Sequence, residues 1–316
     1  MRGVRRSTPA GEHRAVMLHE VLRVLDLKPG AVVVDGTVGW AGHAVELVRR
    51  AGDRGRLIGL DLDGENLPRA RARLEETGLP FSLHHSNFAA LPSILATEGV
   101  AEVQGVVADL GMSSMQVDDA ERGFSYVREG PLDMRMDRSR GRSAAQVLAT
   151  ISQENLAAAL RELGDEPEAE RVAAALVEAR QQAPLERTSD VTRVLVKANE
   201  RWQLHPSRGK WNLHPAARTF QVLRILVNRE LANLEHLLRV LPRILAPGAT
   251  AAIISFHSGE DRLVKASFRE GHRAGTYEAI AEEAVRASQE ERFANPRSRS
   301  AKLRWARRKR NPPLED

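Results

Sequence analysis

"AVVVDGTVGWAGHAVELVRRAGDRGRLIGLDLD", residues 31–63, is the stretch that decides the fold. A short β-branched run closes on Asp35 and Gly36. A glycine-spaced turn follows, then an amphipathic segment that stops at Gly52, then a second apolar run that ends at Asp61. These are the signals of a strand, a helix and a strand joined by short turns. Parallel neighbours need such a crossover, so the stretch predicts a parallel sheet flanked by helices.

The alternation continues outward. "PRARARLEETG" (68–78) reads as a helix, "FSLHHSN" (81–87) as a strand, "AALPSILATEG" (89–99) as a helix and "VQGVVADLG" (103–111) as a fourth strand. Upstream, residues 13–30 have helical spacing and stop at Pro29-Gly30. "GATAAIISFHS" (248–258) reads as a fifth strand. Between the fourth and fifth strands the pattern changes. Residues 112–141 read as a polar loop. Residues 143–202 read as helical, with Ser152 and Thr188-Ser189-Asp190 as N-caps and Gly164 as a stop. Residues 215–241 read as one long amphipathic helix whose apolar stripe leans on the sheet. The expected division is a sheet domain made of residues 1–114 and 216–316, interrupted by a helical domain at 115–215. The fold class expected is α/β, a Rossmann-like sheet with an inserted all-helical domain.

Composition narrows the chemistry. The chain has 316 residues, 42% of them hydrophobic, and no cysteine. Disulfides, thiolate-bound zinc and a thiol nucleophile are excluded. No apolar run reaches the ~18–20 residues of a membrane span, and the basic N-terminus lacks an apolar segment behind it, so a cytoplasmic protein is expected. Residues 295–310, "NPRSRSAKLRWARRKR", carry eight Lys or Arg and no acid. Such a run is either a solvated tail or a phosphate-contacting one. Trp305 within it either stacks on a base or packs on the core.

In open α/β sheets ligands bind beyond the carboxyl ends of the strands. The residues to watch are therefore Asp35-Gly36, Asp61, Asn87-Phe88 and Asp109. Gly36, Gly39 and Gly42 let backbone approach a ligand closely. Their G-x-x-G-x-x-G spacing is neither the dinucleotide fingerprint nor a P-loop. An acid closing the second strand can accept hydrogen bonds from both ribose hydroxyls. Glycine loop and acid together point to a nucleoside-containing cofactor. S-adenosylmethionine has no phosphate and needs a ribose acid and an apolar contact for adenine, which Phe88 can give. Asp109 can serve the cofactor or the acceptor nucleophile, or merely anchor a loop. Ser113, Ser114 and Gln116 follow it, and His257 closes the fifth strand as a catalytic candidate or another loop anchor. The sequence leaves open a methyltransferase acting on a nucleic-acid amine or a small molecule, and a non-catalytic RNA-binding assembly factor.

At these residues the chain resembles a known family. "DGTVGWAGH", "DLGMSSMQVDDAERGFSYVREGPLDMRMD", "HPAARTFQVLRILVNRELANLE", "ISFHSGEDRLVK" and "NPRSRSAKLR" are similar, in order, to signature blocks of the bacterial ribosomal RNA small-subunit methyltransferase H (MraW) family. The resemblance implies a class I methyltransferase sheet. It also implies transfer of a methyl group from S-adenosylmethionine to the N4 amine of a cytidine in small-subunit ribosomal RNA, by a monomer or homodimer and without a metal. It places cofactor contacts at Ala41, Gly42, His43, Asp61, Phe88, Asp109 and Gln116. Catalytic roles are expected for Asp109, Ser113 and His257. Arg122, Arg128, Arg135 and Arg138, on or beside the 112–137 loop, are candidates for phosphate contact. Ala41 stands where the family usually has glycine, and its methyl group is tolerable if φ there stays negative. Ala15 replaces a usual proline, Gly259 a usual leucine, and residues 269–295 lack the family's Lys-Pro-rich segment.

Overall fold

The computed structural model describes residues 14–198 and 214–310. The ends of two expected helices, at His13 and at Trp202, lie outside the described residues. The chain divides into two compact units, Met1–Gly111 with Ala232–Asp316, and Met112–Leu231.

The first unit is built on a seven-stranded sheet. Its strands are β1 (Val32–Asp35), β2 (Arg56–Asp61), β3 (Phe81–His85), β4 (Val103–Asp109), β5 (Leu245–Ser255), β6 (Tyr277–Ile280) and β7 (Lys302–Arg308), in the order β3-β2-β1-β4-β5-β7-β6. The first five are mutually parallel, and β7 runs antiparallel to both β5 and β6. The α/β class is as expected. The strand order reverses between β1 and β4, which opens a crevice at their carboxyl ends. Val33, Val34, Leu57, Ile58, Val106 and Val107 are fully or almost fully buried. Covered on both faces, these strands read as continuous apolar runs rather than alternating ones. Helix Gly42–Ala51 packs Ala44, Leu47, Val48 and Ala51 into one layer, and Leu234, Leu237, Leu238 and Leu241 fill the other.

Three expectations are corrected here. The basic run at 295–310 is no tail, because its second half is the internal strand β7, with Leu303 and Ala306 fully buried. Arg304 and Lys302 both bond Asp261, at 2.6 and 2.8 Å, and Arg308 bonds Glu102. Alternation was masked because charged residues on this strand pair with acids of the same unit. Second, residues 215–241 form two helices, Ala216–Asn228 and Glu230–Ile244. Arg229 breaks them with φ 52°. A bidentate ion pair from Arg224 to Glu230, both bonds 2.8 Å, spans the break. Third, the 112–141 stretch is no simple polar loop. It contains helix Ser114–Asp118 and buries Phe124, Leu132 and Met134.

The second unit is helical among its described residues, with helices Ala144–Thr150, Gln153–Gly164, Ala169–Gln182, Thr188–Ala198 and Ala216–Asn228. Leu148, Leu156, Leu160, Leu176, Leu195, Phe220 and Leu223 form its core. Helix Ala216–Asn228 thus gives its apolar face to this unit, not to the sheet. No helix among the described residues is long and apolar enough to cross a membrane.

Candidate functional site

The strand ends of the first unit carry the chemistry. Asp35 closes β1 fully buried, and its Oδ1 accepts the Thr37 N–H at 3.0 Å. Gly36 leaves little room for a side chain, since a β-carbon there would sit 3.2 Å from the Phe88 Cβ. Phe88 therefore reaches the glycine turn from the end of β3. It is half-buried and opens a short 3-10 turn that Asn87 caps.

Asp61 holds the turn from the end of β2. Its Oδ2 accepts the Gly39 N–H at 2.6 Å, and its Oδ1 accepts from Asp63 N at 2.7 Å and Asn66 Nδ2 at 3.3 Å. Burial pushes its carboxyl up to about 6, against the pull of those hydrogen bonds. Each carboxylate oxygen has two acceptor sites, so these bonds leave capacity over. Burial likewise pushes the Asp35 carboxyl up to about 7.

Asp109 closes β4. Its backbone N–H donates to Thr37 Oγ1 at 2.7 Å, its Oδ2 lies 4.0 Å from His43 Nδ1, and its Oδ1 is buried with no hydrogen-bond partner. Burial first, and then the charge of Asp35, holds its carboxyl well above the usual carboxylate range, with Arg297 opposing. His43 is bonded through Nε2 to the Val16 carbonyl at 2.9 Å. A carbonyl only accepts, so the neutral ring carries its proton on Nε2 and turns the Nδ1 lone pair toward Asp109.

The remaining sequence candidates occupy other settings. His257 is the N-cap of helix Ser258–Arg273: Nδ1 accepts from Glu260 N at 3.4 Å, and Glu260 Oε2 accepts from Phe256 N at 2.9 Å. This is an anchoring arrangement, and its buried Nε2 lies 3.2 Å from Glu260 Oε1. Ser113 and Gln116, in the second unit, form a capping box in which Ser113 Oγ takes the Gln116 N–H and Gln116 Oε1 takes the Ser113 N–H. In that unit Arg122 is buried and bonds the carbonyls of Arg135 and Met136, Arg135 is bidentate to Asp133, and Arg128 pairs with Asp118. Arg138 is exposed. Three of the four arginines are engaged within the fold.

A profile of the MraW methylase family matches residues 10–309. The chain belongs to that family. It is 43% identical over 309 residues to ribosomal RNA small subunit methyltransferase H of Geobacter sp. (strain M21), covering 92% of this chain and 97% of that protein. To the protein of the same name from Sorangium cellulosum (strain So ce56) it is 44% identical over 301 residues, covering 95% and 92%. The sheet of this MraW-family methylase is accordingly a class I methyltransferase sheet.

Against the family pattern, Ala41 behaves differently from expectation. Its φ is +61°, not negative, and it is fully buried as the residue before helix Gly42–Ala51. The turn keeps the left-handed conformation that suits glycine, so alanine pays about 1–2 kcal/mol there. Gly42 is tight for a different, steric reason, since a β-carbon on it would come 3.1 Å from the Ala15 Cβ. Sequence reasoning did not single out Thr37 or Asn66. A threonine inside a glycine turn and an asparagine five residues past a strand acid carry no signal until the fold brings them to Asp109 and Asp61.

Proposed function

We propose that this chain uses S-adenosylmethionine to methylate the N4 amine of a cytidine in small-subunit ribosomal RNA. The observation that carries the reading is the buried, unpartnered Oδ1 of Asp109 at the carboxyl end of β4, beside the glycine turn and the switch in strand order. A buried polar atom without a partner is costly. Asp35 Oδ2 is in the same condition. A dry carboxylate such as Asp109 suits a cationic ligand, and S-adenosylmethionine carries an ammonium and a sulfonium group.

The other residues fit the rest of that molecule. Asp61 would accept from a ribose hydroxyl with the one acceptor site on Oδ2 that its present bonds leave. Phe88 would offer an apolar face to adenine. The open backbone at Gly39, where a β-carbon would meet nothing within 4 Å, admits close approach. Ala41 precedes Gly42 and His43, which open the helix that follows the turn.

When bound, the cofactor supplies a methyl group activated by its positive sulfur. The chain must then orient the acceptor, exclude water and take up a proton. The exocyclic amine of cytosine is a weak nucleophile, so in-line positioning matters most. Methylation at carbon 5 would use a covalent cysteine adduct, and the chain has no cysteine. Asp109 is our candidate to hold the amine or accept its hydrogen. Ser113 and His257, the other two expected catalytic residues, are each already engaged as a cap. The base must leave its stack to reach the crevice. Exposed Arg292, Phe293 and Arg299 in the first unit suit contact with single-stranded RNA.

The deciding experiment supplies labelled S-adenosylmethionine and small ribosomal subunits lacking the modification, followed by nucleoside analysis. N4-methylcytidine is the expected product. A different methylated nucleoside, or none with cofactor binding intact, would refute the acceptor.

A further inference from the structure

The ends of β1 and β4 are joined by one hydroxyl. Thr37 Oγ1 accepts the Asp109 N–H at 2.7 Å, and the Thr37 N–H goes to Asp35 Oδ1 at 3.0 Å. Each carboxylate keeps one buried oxygen without a partner, Asp35 Oδ2 and Asp109 Oδ1. The two acids end neighbouring parallel strands, Asp35 lying opposite Val107, two residues before Asp109, so the charge of Asp35 raises the Asp109 carboxyl.

The surroundings give them little relief. Asp61 at the end of β2 repels Asp35. Glu260, on helix Ser258–Arg273, and Glu291, on helix Gln289–Ala294, repel Asp109. On the cationic side stands Arg297, on the turn Pro296–Arg299. His43 presents its Nδ1 4.0 Å from Asp109 Oδ2. Two interacting carboxylates in a dry site titrate as a pair, and one proton between them is the low-energy arrangement.

We propose that Asp35 and Asp109 act as one proton-holding pair bridged by Thr37, and that cofactor binding drives a proton out of it into solvent. Asp35 is then a positioning residue: it touches no reacting atom, and it sets the charge that Asp109 presents. The balance is simple. The site loses one proton, the pair gains one negative charge, and the arriving cation neutralises it. This inference rests on the assignment of S-adenosylmethionine as cofactor.

The test is calorimetric titration of the whole protein with S-adenosylmethionine at pH 7, in buffers of different ionisation enthalpy, repeated across pH 5.5–8.5. The expected result is release of about half to one proton per cofactor bound. Affinity should rise up to about tenfold per pH unit below the midpoint and level off above it. Asp35→Asn should move that midpoint to lower pH, because a repelling charge is gone. Thr37→Val removes the Oγ1 that holds the Asp109 N–H beside Asp35 and should shift the midpoint, and Thr37→Ser should restore the original profile. Binding with no proton exchange, or variants that lower affinity equally at every pH, would overturn the pair while leaving the cofactor assignment intact. Absence of binding at every pH would overturn both.

Discussion

Gly39 donates its N–H to Asp61 Oδ2 at 2.6 Å, so the acid that ends β2 fixes the turn that follows β1. Asp61 is thereby a structural residue before it is a ligand-binding one. Asp61→Ala strips partners from the N–H groups of Gly39 and Asp63 together. At about 1–3 kcal/mol for each buried donor left unsatisfied, the variant should lose several kcal/mol of stability and most of its cofactor affinity. Asp61→Asn keeps one acceptor oxygen and should fall between. Denaturant unfolding with and without cofactor separates the two losses. Full stability in Asp61→Ala would show that the turn holds itself.

The raised acids make stability depend on pH in an unusual direction. The folded-state carboxyls of Asp35 and Asp61 lie at about 7 and about 6, above the ~3.9 of an unfolded aspartate. Between about pH 4 and 7 the folded protein therefore binds more protons than the unfolded chain. Their contribution to stability is greatest at the acid end of that window and falls as pH rises. The unliganded protein should melt lower at pH 7.5 than at pH 5.5, and Asp35→Asn should flatten the difference. Melting that rises with pH across this window would contradict the burial argument.

Ala41 and Arg229 are both non-glycine residues at positive φ, and they should respond differently to glycine. Arg229 is exposed at φ 52°. Arg229→Gly relieves about 1–2 kcal/mol of strain against about 0.5–1 kcal/mol of backbone entropy and loses no buried contact, so a gain of up to about 1 kcal/mol is expected. Ala41, at φ 61°, is fully buried. For Ala41→Gly, relief of about 1–2 kcal/mol is offset by a lost buried methyl of about 0.8 kcal/mol and by backbone entropy of about 0.5–1 kcal/mol. That variant should lie within about 1 kcal/mol of the parent. Ala41→Val, bulky and β-branched at a left-handed position, should be severely destabilised. Chemical denaturation of the three variants measures the order.

How far the sequence reaches follows from where each signal is local. The strands β1 to β4 and their crossover helices are legible because both faces are buried, and Asp61, Phe88 and Asp109 stand out as candidates because they lie at strand ends. β7 is not legible, since its Arg304 and Lys302 owe their place to Asp261, 41 and more residues away. The break at Arg229 is hidden because a left-handed cap normally announces itself with glycine. Ala41 misled for the mirror reason: its conformation is set by the turn around it and overrides the residue's preference. Thr37 binds through contacts that only the pairing of β1 with β4 creates.

The internal position of β7 changes what truncation of the basic segment can report. Removing residues 302–316 takes away the strand that pairs both β5 and β6, so it should unfold the first unit and abolish cofactor and RNA binding together. Arg304→Ala is the gentler probe. Its guanidinium is buried against Asp261, and breaking one side of such a pair costs about 3–5 kcal/mol. RNA contact is better tested at Phe293, which is 87% exposed. Phe293→Ala should leave melting and cofactor affinity unchanged, because it removes no buried contact. If a base stacks there, at about 1–3 kcal/mol, RNA affinity should drop at least fivefold. Unchanged RNA affinity in Phe293→Ala, with Arg292→Ala and Arg299→Ala also silent, would move the RNA surface off this segment.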